Sequence, residues 1–244
     1  MFISKERRIS AKKGSGIQYI PGHIEPFTDL VVDQYLPKIG GIVDLGGGGL
    51  RFAVPVAQKG RDITVVDADN DSIDLRGILK KVKENKSVNV LARQLKPHIK
   101  PVVGDILDFL KSTDNRFGLI TCFRVIHFFP PAYMETFFAQ VARRLVEGGI
   151  LAVSGMTTHD LDRGGPNEIL LCSTPIASGL PLYREFDSSE EAARIQREQN
   201  LCRRIHLIDD HTMEKLADNF GFEVLVRSFK ATRIVQGYIL RRRS

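Results

Sequence analysis

Apolar and polar residues follow one another along most of the chain in strand-length and helix-length patterns. Short apolar runs predict five strands, at 41–45, 63–67, 101–104, 117–123 and 149–154. Between them lie segments such as "YMETFFAQVARRL", in which apolar residues recur three and four positions apart, as on one face of a helix. Strands that alternate with helices predict parallel βαβ units, with helices on both faces of one sheet.

The pattern changes at both ends of the chain. "PFTDLVVDQYLP" predicts a short helix with Pro26 in its first turn. Near the other end, "TMEKLADNFGFEVLVRSF" predicts a helix that stops at Gly221 and a strand after it, and "ATRIVQGYILRRR" predicts one more strand. The turn between these last two strands is too short for a crossover helix, so they should pair antiparallel. We therefore expect an α/β fold with a seven-stranded, mostly parallel sheet.

Composition places the chain among ordinary globular proteins. Its 244 residues are 43% hydrophobic and 26% charged, which suits one large domain or two small ones. No apolar run approaches the roughly 20 residues of a membrane helix, and no apolar signal core follows the basic N-terminus. The three cysteines are widely spaced, which favours a reduced, cytoplasmic protein.

The net charge of +6 is concentrated in three basic stretches, "SKERRISAKK", "LKKVKENK" and "LRRRS". Such stretches are usually solvated surface, so the charge alone is weak evidence for a nucleic-acid partner.

The stretch "IVDLGGGGLRFAVPVA" predicts a strand, a glycine turn and a helix, which together make a nucleotide site. A triphosphate loop needs a lysine and a Ser or Thr where Leu50 and Arg51 stand, and neither register of the four glycines completes GxGxxG. S-adenosylmethionine has no phosphate. It needs glycines after the strand, an acid at the strand end for its ammonium and a second acid on the next strand for its ribose. Asp44 and Asp67 supply these two acids.

Five motifs in order carry a resemblance to a known family. "VDLGGGG" resembles its first motif, DxGxG, and "VVDAD", "VVGDILDF", "FGLITCFRVIHFF" and "VARRLVEGGILAVSG" resemble the second to the fifth. With the antiparallel final strands, the chain resembles the class I S-adenosylmethionine-dependent methyltransferases over its whole core. The resemblance implies a Rossmann-like fold, a single domain over 1–244, and methyl transfer that leaves S-adenosylhomocysteine.

The resemblance also implies which residues contact the cofactor. Asp67 would bind the ribose hydroxyls, and Asp105 would accept a hydrogen bond from the adenine amino group. The residues expected around the cofactor are Asp44, Gly46, Gly47, Gly48, Asp67, Ala68, Asp105, Ile106 and Phe123. No metal ion is expected.

Three positions depart from the family pattern. Leu50 stands where a third glycine is common, Gly118 replaces the usual aspartate of the fourth motif, and Arg124 replaces a small acidic or polar residue. Arg124 could clamp a carboxylate or phosphate of the acceptor, or it could pair with a nearby acid.

The methyl acceptor is expected near the end of the fourth strand. His127 could act there as a general base, or it could pack against Phe128 and Phe129. The segment 155–206 fits no βα unit and is predicted to be a substrate lid, while residues 1–37 form an N-terminal arm and helix. From these two segments Tyr19, His159 and Tyr183 are expected to contact the acceptor.

Three functions remain open at this point. The first is methylation of an oxygen or nitrogen atom of a small molecule, which the small-molecule-like ending "VIHFF" favours. The second is methylation of RNA held by the basic termini. The third is binding of S-adenosylmethionine or S-adenosylhomocysteine without catalysis, for which Leu50 and Gly118 are the reasons. No membrane partner is expected, and the sequence does not indicate the oligomeric state.

Overall fold

The structure, a computed structural model, describes residues 25–75, 93–129, 131–156, 183–185, 204–206, 208–232 and 235–244. The helices in these residues are α1 (Pro26–Gln34), α2 (Ala53–Gln58), α3 (Ile106–Ser112), α4 (Pro131–Arg144) and α5 (Asp210–Asn219). The strands are β1 (Gly41–Leu45), β2 (Ile63–Asp67), β3 (Ile99–Val103), β4 (Phe117–Phe123), β5 (Leu145–Met156), β6 (Tyr183–Glu185), β7 (Arg204–His206), β8 (Phe222–Thr232) and β9 (Val235–Arg242). Short 3₁₀ turns cover Asn70–Ser72, Lys96–His98 and Ile126–Phe128.

One seven-stranded sheet runs in the order β3-β2-β1-β4-β5-β9-β8. The first five strands are parallel, and β9 lies antiparallel between β5 and β8. The predicted fold class, including the antiparallel C-terminal pair, is therefore confirmed. The strand order reverses between β1 and β4, and ligands of open α/β sheets bind in the crevice beyond the carboxyl ends of the strands at such a point.

Side chains that alternate along the strands divide the core between the two faces of the sheet. Ile42 and Leu119 pack with α1 and α2 on one face, while Val43 and Ile120 pack on the other. The second face is covered by buried residues of α3, α4 and α5, including Phe137 of α4. Burial on both faces explains why β1 and β4 read as continuous apolar runs.

Two of the predicted strands were too short. The strand predicted at 101–104 begins earlier, at Ile99, because β3 is an edge strand and tolerates both the polar Lys100 and Pro101. The strand predicted at 149–154 extends over Leu145–Met156, with an irregular register opposite residues 117 and 119.

The remaining predicted elements agree well with the structure. β1, β2 and β4 have the predicted bounds, Pro26 begins α1, and Gly221 follows α5 with a φ of +73°. None of the helices in the described part of the chain is long and apolar enough to cross a membrane.

Candidate functional site

The glycine turn after β1 lies against both neighbouring strands at the crevice. Gly46 has a φ of +70°, and a Cβ atom added to it would lie 2.5 Å from a methyl group of Val125. The N–H groups of Gly46 and Gly47 donate to the carbonyl oxygen of Val66, at 2.7 and 3.2 Å. Only glycine fits this turn at Gly46, because a side chain there would be both strained and blocked.

Asp67 faces this turn from the end of β2. Its carboxylate accepts hydrogen bonds from the N–H of Gly48 and the N–H of Asp69, both at 2.9 Å. A carboxylate has about four lone-pair directions, so this half-buried group keeps acceptor capacity for two further donors. The exposed Ala68 lies directly after it. The arrangement suits a pair of vicinal hydroxyls above Gly48.

Asp44 is buried beneath the turn, at the end of β1. The hydroxyl of Thr121 in β4 lies 2.7 Å from its Oδ1 atom. Burial, partly opposed by this hydrogen bond and reinforced by the charge of Asp67, raises the pKa of Asp44 to about 7. A carboxylate with this pKa changes its charge easily near neutral pH, and a cation placed above it would favour the ionised form.

Asp105 is the N-terminal cap of α3. Its Oδ1 atom accepts from the N–H groups of Leu107 and Asp108, at 2.8 and 3.1 Å, and its Oδ2 atom accepts from the hydroxyl of Tyr133 at 2.9 Å. The side chain is therefore held in place at the exposed end of β3, as a fixed acceptor. Ile106, the next residue, is buried.

Phe123 packs into an aromatic cluster. Its ring centroid lies 5.3 Å from that of Phe27 and 5.3 Å from that of Phe52, both in edge-to-face geometry. These contacts join the end of β4 to α1 and to the residue before α2. A structural role for Phe123 is thus visible, and its contact with the cofactor stays a prediction.

Arg124, directly after β4, forms an ion pair with Glu25. The second oxygen of Glu25 lies 3.0 Å from the guanidinium of Arg51, so one carboxylate joins the two arginines. Burial, together with the charge of Arg124, lowers the pKa of Arg51. The pairing of Arg124 with an acid, which the sequence left open, is thus present, and we call these three residues the Arg–Glu–Arg cluster.

His127 lies on the 3₁₀ turn Ile126–Phe128, just beyond β4, and is 4% exposed. Its ring centroid is 4.0 Å from that of Phe128. Strand β7 lies against this turn and pairs with β6, so a two-stranded part of the segment 155–206 is close to His127. Both the packing role and a catalytic role remain compatible with this position.

Several predicted acceptor contacts lie outside the described residues. These are Tyr19 and His159, together with the N-terminal arm up to residue 24 and most of the predicted lid. The backbone of Tyr183 pairs with His206 in the β6–β7 hairpin, and its side chain is not described.

Three site residues were missed by the sequence analysis. Glu25 carried no local signal, because the two arginines that it joins are 26 and 99 positions away in the chain. Tyr133 likewise gave no sign of its bond to Asp105, 28 positions away. Thr121 had a signal in the sequence, because it is a polar residue within the apolar run of β4. The structure shows that it is fully buried and in register with Asp44.

The described residues contain no group of three or more His, Cys, Asp or Glu side chains that could hold a metal ion.

Comparison with known proteins gives a family and a fold. A family profile described as "Methyltransferase domain" matches residues 21–226. The structure is similar to that of the glycopeptide N-methyltransferase MtfA with sinefungin, at 15% identity and a TM-score of 0.62, over 95% of this chain and 99% of that one. It is also similar to an S-adenosylmethionine-dependent methyltransferase from Clostridium acetobutylicum, at 12% identity and a TM-score of 0.58, over 91% and 93% of the two chains.

A third similar structure is magnesium protoporphyrin IX methyltransferase from Synechocystis, crystallised with S-adenosylhomocysteine. It has 15% identity and a TM-score of 0.53, over 88% of this chain and 79% of that one. A sequence comparison with curated proteins found no match.

Proposed function

Because the chain belongs to the methyltransferase domain family, we propose that it transfers the methyl group of S-adenosylmethionine to an oxygen or nitrogen atom of a small molecule. The observation that carries the cofactor proposal is the contact of Gly48 with Asp67. This contact brings the backbone of a glycine and a hydrogen-bonded carboxylate together at the crevice where the strand order reverses. The relatives crystallised with S-adenosylmethionine, S-adenosylhomocysteine and sinefungin support the same cofactor.

In this proposal each acid along the sheet edge meets one part of the cofactor. Asp105 at β3 accepts from the adenine amino group, Asp67 at β2 binds the ribose, and Asp44 at β1 faces the ammonium group. The glycine turn admits the methionine portion close to the backbone. Ala68 and Ile106 complete the adenosine site, and Phe123 supports it from the end of β4.

Methyl transfer is an in-line displacement at carbon, and its rate depends mainly on holding the acceptor atom against the sulfonium methyl group. In this proposal the residues beyond β4 do this. We assign His127 the role of general base for acceptors that must lose a proton, which is typically worth about 10²–10⁴-fold in rate. If a His127→Gln protein methylates at the wild-type rate at every pH, this result contradicts the assigned role.

A small acceptor suits the site better than RNA or a non-catalytic role. Within the described residues, the basic residues at the C-terminus contact the chain's own groups at the opposite edge of the sheet. The relatives that act on a glycopeptide and on a porphyrin are in line with a discrete acceptor. Gly118, one of the two reasons for a non-catalytic protein, lies at the amino end of β4 beside Gly41 and far from the crevice.

Calorimetry with S-adenosylhomocysteine tests the cofactor proposal. We expect the wild-type protein to bind it and Asp67→Ala to bind it about tenfold to a hundredfold more weakly, because hydrogen bonds to a charged carboxylate are lost. Asp62→Ala is the matched control: this aspartate precedes β2 at its other end, and its side chain is 86% exposed. An Asp67→Ala protein that binds as tightly as the control would contradict the proposal.

A further inference from the structure

Three donors surround the carboxylate of Asp105 and leave it room for one more. Its Oδ1 atom accepts from the N–H groups of Leu107 and Asp108, and its Oδ2 atom accepts from the hydroxyl of Tyr133. A carboxylate has about four lone-pair directions, so one direction, on Oδ2, is left for a ligand. The oxygen that can meet a ligand is therefore the oxygen that Tyr133 holds.

The surroundings of Tyr133 make its hydroxyl a donor to Asp105. The N–H group of Leu107 points at the hydroxyl oxygen of Tyr133 from 3.3 Å, so the hydroxyl proton turns the other way, toward Oδ2 of Asp105 at 2.9 Å. Burial, together with the hydrogen bond to Asp105, raises the pKa of Tyr133, so the proton stays on the hydroxyl around neutral pH. A hydrogen bond to an ionised acceptor is also stronger than one between neutral groups.

The ring of Tyr133 is held by α4 and by the aromatic side chains beside it. Tyr133 lies in the first turn of α4, and its ring centroid is 4.6 Å from that of Phe129. Phe129 is buried and packs in turn against Phe137 in the core, with ring centroids 5.2 Å apart. Because this ring belongs to a different helix from the one that Asp105 caps, the hydroxyl supports the carboxylate from outside α3.

We propose that Tyr133 is a positioning residue for the base of the cofactor, because its hydroxyl holds Oδ2 of Asp105 in the direction that accepts one N–H of the adenine amino group. Tyr133 acts on the carboxylate and makes no contact with the cofactor itself. The consequence is selectivity, since a base without the amino group leaves the last acceptor position of Asp105 unpaired. This inference rests on the proposed function, in which Asp105 meets adenine.

Two ligands that differ in one group test this role by calorimetry. One is S-adenosylhomocysteine, and the other is its 6-deamino analogue, in which hydrogen replaces the amino group of adenine. We expect the wild type to prefer S-adenosylhomocysteine by about tenfold to a hundredfold, because the analogue cannot make the hydrogen bond to Asp105. Tyr133→Phe keeps the ring and removes the hydroxyl. It should reduce this preference about fivefold, through weaker binding of S-adenosylhomocysteine and unchanged binding of the analogue.

The matched control is Tyr35→Phe, which removes a hydroxyl elsewhere in the molecule. Tyr35 follows α1, and its side chain makes no hydrogen bond within the residues that the structure describes. This control should bind both ligands like the wild type. If Tyr133 only joined α3 to α4, Tyr133→Phe would weaken both ligands equally and leave the preference unchanged, and that result would overturn the proposal.

The variant Asp105→Asn shows whether Tyr133 acts through this carboxylate. Asparagine still caps α3, but its amide nitrogen replaces one of the two acceptor oxygens. In this background Tyr133→Phe should leave the affinity for S-adenosylhomocysteine unchanged, and a further fivefold loss there would overturn the proposal. A wild type that binds neither ligand contradicts the proposed function and this inference with it. A wild type that binds both ligands equally well contradicts the positioning role alone and leaves the cofactor proposal standing.

Discussion

At the scale of single residues, Asp44 connects the fold to the chemistry of binding. It lies near the end of β1, in register with Thr121 of β4, and is only 3% exposed. Its one side-chain hydrogen bond in the described residues comes from the hydroxyl of Thr121. Burial favours the protonated form, so its pKa of about 7 lies far above that of an exposed aspartate. The proposed ammonium group of the cofactor favours the ionised form, so proton release and cofactor binding should be linked.

The affinity for S-adenosylhomocysteine should therefore depend on pH. Below about pH 7 the free protein holds a proton on Asp44 that binding must release, so affinity should fall about tenfold for each pH unit. Above about pH 7 the curve should be flat. Asp44→Asn should bind more weakly at pH 8 and lose the dependence, whereas Thr121→Val should move the bend to higher pH. Calorimetry between pH 5 and 9 measures all three, and parallel wild-type and Asp44→Asn curves would contradict the link.

Stability should change with pH in the opposite direction. Folding raises the pKa of Asp44, so the protonated side chain contributes to the free energy of unfolding. This contribution is complete below about pH 4 and is lost as the pH rises through about 7.

The residues at strand ends were predictable from the sequence, and their partners were not. Asp44 and Asp67 were predicted because S-adenosylmethionine needs an acid at the end of the strand before the glycine turn and another at the end of the next strand. The structure has Asp44 near the end of β1 and Asp67 at the end of β2, with Asp67 in contact with Gly48. Glu25 and Tyr133 act through pairs that join distant parts of the chain, and a single sequence has no periodicity that marks such pairs.

At the scale of elements, Gly118 shows how a departure from a family motif can be structural. Gly118 stands at the start of β4, where the family motif that the sequence resembles usually has an aspartate. A Cβ atom added to it would overlap the carbonyl oxygen of Ile39 and lie 2.5 Å from Cβ of Pro37. The register of β4 against both β1 and β5 shifts at the same place. The segment before β1 thus packs directly on the backbone of β4, which leaves no room for a side chain.

Gly118→Ala should therefore destabilise the protein by about 1–3 kcal/mol, the usual cost of overpacking a closely packed site. Gly104→Ala is the matched control, because its added Cβ atom would meet nothing within 4 Å, and its effect should stay within about 0.5 kcal/mol. Chemical unfolding measures both changes. The folded Gly118→Ala protein should still bind S-adenosylhomocysteine normally, and an unchanged stability would show that this backbone contact is not tight.

Element types were more predictable than element limits. β1, β2 and β4 are buried on both faces, so their apolar runs end where the strands end. β3 and β5 continue into polar and glycine residues, because an edge position and an irregular register relax the need for apolar side chains. Pattern alone does not show which strand will lie at the edge.

At the scale of the whole molecule, the placement of charge matters more than its sum. The net charge of +6 is by itself only weak evidence for an affinity for nucleic acid. Yet Arg241 bonds Glu223 at 3.0 Å, Arg243 bonds Asp218 at 2.9 Å, and Arg242 donates to the carbonyl oxygen of Leu145. These arginines lie at the edge of the sheet opposite the crevice, so RNA held there would be far from the proposed methyl group.

RNA binding measured against salt concentration should separate the two kinds of acceptor. Each phosphate contact in single-stranded RNA contributes about 0.7 to the slope of log affinity against log salt. If Arg241 and Arg243 held RNA, replacing both with Gln would reduce the slope by about 1.4. We expect a change below about 0.3, because both side chains are paired with carboxylates, and we expect saturating S-adenosylhomocysteine to leave RNA affinity unchanged. A reduction near the larger value, with RNA binding that strengthens when the cofactor site is filled, would favour an RNA acceptor over a small molecule.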